Sequence, residues 1–256
     1  MIPLRTIYKL KMPGSICLAL IFLIVCSLPA LSQRTYIVCV GVGEYANGEN
    51  PLPCPVNDAR SLARFFKDKA NADVFMLLDS NATRDHILRV LRNQFSKSTE
   101  SDQIIFTYSG HGFDGGIACY NEPVFVTEVQ DIMKASKASR KMMFVNACHS
   151  GSFTKRNKAK NVQRGNYKAK DYNVMLYLSS RPDEFSWESS DMYNSFFIDK
   201  LLKGLNGSAD VNKDKKVTAR ELFNYVNAGV IDISGGDQHP QMYGSFPDDM
   251  VVVSLN

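Results

Sequence analysis

The sequence has no CxxC pair, no internal repeat and no apolar run long enough to cross a membrane. Without CxxC spacing a zinc ribbon or finger cannot organise the fold. Six cysteines in 256 residues are too few for a disulfide scaffold. The longest apolar run, Ile16 to Leu28, is broken by Ser27 and falls short of the ~20 residues a helical span needs. It follows Arg5, Lys9 and Lys11 and precedes Pro29-Ala30-Leu31-Ser32, the three regions of a secretory signal peptide cut after Ser32. Val25 stands before Cys26 where a lipoprotein box wants a small residue. Net charge of one sign is missing too. The leader carries three of the 30 basic residues and none of the 26 acids, which leaves 27 against 26, or +1. The basic balance therefore belongs to the leader, and nucleic acid is not an expected partner. The expectation is an exported chain, secreted or periplasmic, with residues 1–32 as signal peptide and no stable membrane anchor.

What remains, residues 33–256, is rich enough in apolar residues (45% of the whole chain) to bury one sizeable core without a second domain. Short apolar runs alternate with amphipathic ones. Thr35 to Val42, Asp73 to Leu78, Asp102 to Ser109, Lys141 to Asn146, Asn173 to Leu178 and Met250 to Leu255 read as buried strands. Between them, Asn57 caps a helix running to Lys69 and Thr83 caps one from Arg84 to Phe95. Thr127 to Met133, Met192 to Leu205 and Ala219 to Ile231 supply three more helices. Such alternation predicts an α/β fold with a mostly parallel sheet of about six strands and helices on both faces.

Two strands end in matching ways. Asp102 to Ser109 runs into Gly110-His111-Gly112, and the strand through Val145 runs into Asn146-Ala147-Cys148-His149-Ser150-Gly151. A thiol and an imidazole, each among small residues at the C-terminal edge of a parallel sheet, stand where ligands bind in open α/β folds. A cysteine nucleophile needs a base and donors for the oxyanion it creates. His111 fits the base and Cys148 the nucleophile, with the backbone N–H groups of Gly112 and Cys148 as oxyanion donors. His149 takes no catalytic role in this reading.

Tyr108 to Gly112 (YSGHG) together with Asn146 to Gly151 (NACHSG) resembles the caspase-like cysteine peptidases, in their metacaspase and bacterial branch. The likeness continues through Gly41 to Leu62 and Asn194 to Val226. It implies a caspase-like three-layer sandwich, a His111–Cys148 dyad, and cleavage of proteins or peptides. The family's pocket for Arg or Lys at P1 implies substrate-binding roles for Asp58, Ser109 and the position two before the nucleophile. That position is Asn146 here rather than an acid, a departure that weakens charged hydrogen bonding by ~1.5–3 kcal/mol and opens the pocket to neutral P1 residues. The plain reading of Asp58 is a first-turn acid favoured by the helix dipole. Two rival readings are a catalytically idle caspase-like scaffold and a transpeptidase sharing the acyl-enzyme.

Two further segments carry expectations. Residues 152–172 hold Lys155, Arg156, Lys158, Lys160, Arg164, Lys168 and Lys170 against Asp171 alone, with no apolar periodicity. This is expected to be a mobile basic loop and, in an enzyme that prefers basic P1 residues, a site of autoprocessing, with Lys155, Arg156, Lys158, Lys160 and Arg164 as candidates. Asp210 to Glu221 fits an EF-hand loop at Asp210, Asn212, Asp214, the Lys216 carbonyl, Thr218 and Glu221, with Lys215 where the pattern wants glycine. The alternative there is a surface turn with a Thr218–Glu221 capping box. The dyad requires no cofactor, and calcium at this loop is the single candidate. A Cys54–Cys119 bridge is left open by the sequence.

Overall fold

Seven residues from Thr35 to Gly41 (β1) are apolar on both sides of the chain, so they form a strand only where both faces are covered. In the computed structural model, which describes residues 33–48, 50–69, 71–113, 115–148, 174–189, 191–244 and 246–255, that strand lies inside a six-stranded sheet. The expected signal peptide and basic loop lie outside the described residues, as does His149. Residues Gln33–Asn256 form one compact unit.

Helix α1 (Pro55–Lys67) follows β1, then β2 (Ala72–Leu78), α2 (Arg84–Phe95) and β3 (Gln103–Ser109). Three two-residue strands, β4 (Gly112–Phe113), β5 (Gly116–Ile117) and β6 (Val124–Phe125), make a small antiparallel sheet before α3 (Val126–Ala135). The main sheet resumes with β7 (Arg140–Asn146) and β8 (Val174–Leu178). Then come α4 (Phe196–Lys203), β9 (Lys216–Thr218), α5 (Ala219–Ile233), β10 (Gln241–Tyr243) and β11 (Val251–Ser254). Strand order is β10-β8-β7-β3-β1-β2, parallel throughout except for β10.

Side chains alternate across the sheet and build two cores. Val38, Val40, Ile104, Phe106, Met143, Val145 and Leu176 meet Ile87, Leu91, Val129 and Met133 of α2 and α3. Ile37, Cys39, Ile105, Met142, Phe144 and Tyr177 meet Ala59, Leu62 and Phe66 of α1, Leu201 of α4, and Leu222 and Val226 of α5. Each buried Leu, Ile or Phe removes enough apolar surface from water to stabilise the fold by roughly 2 kcal/mol. The result is the three-layer α/β sandwich that the alternation predicts.

Two expectations change. The sixth strand of the main sheet is β10, not Met250 to Leu255. Val251–Ser254 instead pairs antiparallel with β9 in a separate two-stranded sheet. Gln241–Tyr243 is short, partly polar and half-buried, so it lacks the apolar run that marks an inner strand, and it occupies the antiparallel edge beside β8. The first helix begins at Pro55 rather than behind Asn57. Proline at its first position needs no N–H partner and comes with its φ already set, so the cap is Cys54 and the helix starts three residues earlier.

Candidate active site

Parallel pairing of β3 with β7 sets Ser109 opposite Asn146. His111 and Cys148 each lie two residues beyond that pair, on neighbouring strand ends. Gly110 N–H donates to the Asn146 carbonyl (3.1 Å) and ties the two ends together. Gly112 is pressed so close to the second end that a Cβ there would lie 2.5 Å from the Cys148 carbonyl oxygen and 2.9 Å from the Ala147 Cβ. The glycine after His111 is thus a packing requirement.

The His111 backbone is fixed by two tyrosines. Its N–H donates to the Tyr45 hydroxyl (2.7 Å), and its carbonyl lies 2.8 Å from the Tyr108 hydroxyl. The ring packs 5.0 Å from that of Tyr45. Its Nε2 is 2.8 Å from the Asn50 carbonyl oxygen. A carbonyl only accepts, so Nε2 carries the proton and Nδ1 is the basic nitrogen of the neutral ring. Sequence reasoning found no orienting group for His111 because this one is a main-chain oxygen, which leaves no residue signature.

Cys148 is half-buried, and it is the one cysteine among the described residues that is not fully buried. Burial pushes the thiols of Cys39, Cys54 and Cys119 up to about 12, so they stay protonated. Cys54 and Cys119 are free thiols, without the bridge left open by the sequence. The turn before Cys148 is braced from the residue just after β8, where the Ser179 hydroxyl accepts from Ala147 N–H (3.1 Å).

Asp58, Ser109 and Asn146 do converge, and they draw in two residues the sequence reading missed. Asp58 has no exposed surface. It accepts from the Ser109 hydroxyl (2.7 Å), Asn194 Nδ2 (3.0 Å), and the Ser195 N–H (3.0 Å) and hydroxyl (2.8 Å). Asn146 Nδ2 adds a longer contact at 3.3 Å. Ser195 caps α4 and Asp58 lies in the first turn of α1, so one carboxylate joins two helix N-termini. Burial nevertheless pushes the Asp58 carboxyl up to about 6, because hydrogen bonds from neutral donors only partly offset desolvation. Asn146 Oδ1 is buried without a hydrogen-bond partner among the described residues. The N-cap signal at Ser195 was the available clue to this cage.

The EF-hand-like residues are turned onto their own backbone. Asp210 accepts from the N–H groups of Asp214 and Lys215, Asn212 from Asp214, and Asp214 from Lys216. Glu221 accepts from the Thr218 N–H (3.0 Å) and hydroxyl (2.7 Å), completing a capping box. Lys215 takes φ +63° where the pattern wants glycine. No group of three or more His, Cys, Asp or Glu among the described residues is arranged to hold a metal. The autoprocessing candidates Lys155 to Arg164 lie outside the described residues.

No curated protein matches this chain. Among solved structures, a Geobacter sulfurreducens protein superposes with TM-score 0.64 at 14% identity, covering 88% of this chain and all of that one. Caspase-1 of Spodoptera frugiperda superposes with TM-score 0.64 at 13% identity, covering 87% and 91% of the two chains. These likenesses carry the fold. The caspase-domain family matches residues 34–251, from the start of β1 to the start of β11. The chain belongs to the caspase-domain family of cysteine peptidases.

Proposed function

We propose that this chain is an exported cysteine endopeptidase of the caspase and metacaspase type that cleaves after Arg or Lys and is activated by cutting its own basic loop. The observation that carries the reading is the paired placement of His111 and Cys148 beyond one register of adjacent parallel strands, with the Asn50 carbonyl holding Nε2. With Nε2–H engaged, Nδ1 takes the Cys148 proton. The resulting imidazolium favours the thiolate, which attacks the carbonyl carbon of the scissile bond. The N–H groups of Gly112 and Cys148 receive the oxyanion, each such donor contributing about 3 kcal/mol in the transition state. Collapse breaks the C–N bond, and the leaving amine takes the proton from Nδ1. Water, losing a proton to the same nitrogen, then cleaves the thioester and restores the thiol.

The Asp58–Ser109–Asn146 cluster supports basic P1 residues. It combines a carboxylate with an unpartnered amide oxygen, both acceptors suited to a guanidinium or ammonium. Asp58 is closed off by neutral donors, so a P1 cation displaces at least one of them, exchanging a neutral for a charged hydrogen bond. The test is digestion of a peptide library by the protein and by Cys148→Ala, with product masses read at every P1. Cleavage mainly after Arg and Lys, with slower cleavage after neutral residues, is expected, and none with the variant. Products joined to added amines instead of hydrolysed would redirect the reading to a transpeptidase.

A further inference from the structure

Glu188 lies between β8 and α4 and takes no part in the dyad or the P1 cluster. Its carboxylate accepts a hydrogen bond from the Cys54 N–H at 3.2 Å. Cys54 ends a five-residue strap that begins at Asn50, whose carbonyl holds His111 Nε2 at 2.8 Å. The strap reads Asn50-Pro51-Leu52-Pro53-Cys54, and Pro55 follows. Alternating prolines fix φ at every second residue and limit the freedom of the segment, which bends at Pro53 and Cys54 as it enters α1. They also remove donors, leaving Leu52 and Cys54 as the N–H groups beyond Asn50. Leu52 N–H donates to the Gly43 carbonyl (2.9 Å), and Cys54 N–H goes to Glu188. A segment so restricted and held at two points passes a shift of one end to the other. The same carboxylate is near enough to feel an imidazolium charge on His111, while burial raises its pKa overall.

We propose that Glu188 is a positioning residue for His111: by holding the Cys54 N–H it fixes the proline strap whose Asn50 carbonyl orients the imidazole. The inference rests on the dyad reading. A merely structural role is the alternative, since Glu188 also satisfies the N–H of the residue that caps α1. The two differ in what they do to the thiol. Losing a cap lowers stability and leaves folded Cys148 as reactive as before. Losing the strap's anchor lets Nδ1 drift and slows every step in which it takes the Cys148 proton.

The experiment measures iodoacetamide alkylation of Cys148 at pH 7 in the full chain, read by mass on the peptide containing it, together with Tm, kcat and KM on an Arg substrate. Cys39, Cys54 and Cys119 are buried and separate by peptide mass. Glu188→Ala is expected to slow alkylation at least ~10-fold and to lower kcat with KM little changed, since misplacement by ~1 Å can cost ~100-fold. Glu188→Gln keeps an acceptor oxygen for Cys54 N–H and is expected to restore alkylation to within roughly twofold, a hydrogen bond rather than a charge being what holds the strap. If Glu188→Ala does not fold, Glu188→Asp, which withdraws the carboxylate by one methylene, takes its place and is expected to be slower than Glu188→Gln. Wild-type alkylation in folded Glu188→Ala overturns the proposal, as does a Gln variant as slow as Ala. His111→Ala supplies the floor. If it alkylates as fast as wild type, the dyad reading has failed and the proposal falls with it. His111-dependent alkylation in a protein that cleaves no peptide leaves Glu188's role standing and removes the peptidase reading.

Discussion

The buried Asp58 carboxyl should make this protein lose stability as pH rises through the range in which most proteins gain it. Its pKa is raised by burial from 3.8 to about 6 in the folded state, and the unfolded chain keeps the lower value. Between pH ~4 and ~6 the folded state therefore holds a proton that the unfolded state has lost, and folding takes one up. The contribution is present in full below pH ~4, declines as pH rises through 6, and is gone above ~7. Two pKa units correspond to about 3 kcal/mol, the charged form being disfavoured by that much in its cage of neutral donors. Asp58→Asn cannot titrate, and subtracting its curve isolates the term from all other groups. Both chains should carry Cys148→Ala, so that proteolysis does not distort the measurement. Urea unfolding followed by circular dichroism at unit steps from pH 4 to 7 gives ΔG for each. The wild-type minus Asn difference should fall by ~2–3 kcal/mol across that range. A difference constant within ~0.5 kcal/mol, or one that rises with pH, would refute the burial argument.

Four further outcomes follow from the site. Cys148→Ala and His111→Ala should each abolish cleavage with Tm nearly unchanged, and the double variant should lose no more than either alone, because the pair acts as a unit; additive losses in kcat/KM would separate them. Asn146→Asp should sharpen discrimination between Arg and a neutral isostere at P1 by roughly tenfold, about 1.4 kcal/mol, and Asp58→Asn should erase it; ratios of kcat/KM indifferent to both changes would move the pocket elsewhere. Gly112→Ala should displace the Cys148 turn, since its Cβ would meet a carbonyl oxygen at 2.5 Å, lowering stability by ~1–3 kcal/mol and kcat by ~100-fold; normal kcat would show that the turn tolerates the shift. Intact-mass analysis over time should find the wild-type chain cut between Lys155 and Lys170 and Cys148→Ala uncut; an active chain that stays whole, or equal cutting in both, would dispose of autoprocessing.

The alternation of apolar runs with amphipathic ones determined the layered α/β architecture, since a strand buried on both faces must be apolar throughout and a helix on a sheet only on one side. The same reasoning placed His111 and Cys148 at neighbouring strand ends, because each follows a buried strand directly. Strand pairing was decided in three dimensions. Gln241–Tyr243 takes the sheet edge beside β8, while Val251–Ser254, although the more apolar, pairs with β9 outside the main sheet. The groups that tune the site were likewise hidden. Asn50 acts through a carbonyl that every residue has, Glu188 reaches Cys54 across 134 positions, and Ser195 reaches Asp58 across 137. Sequence periodicity reports neighbours along one element, and it carries no signal for a hydrogen bond between two loops brought together by packing. The sequence determined that an imidazole and a thiol follow neighbouring buried strands, and the tertiary structure alone decided what holds them in place.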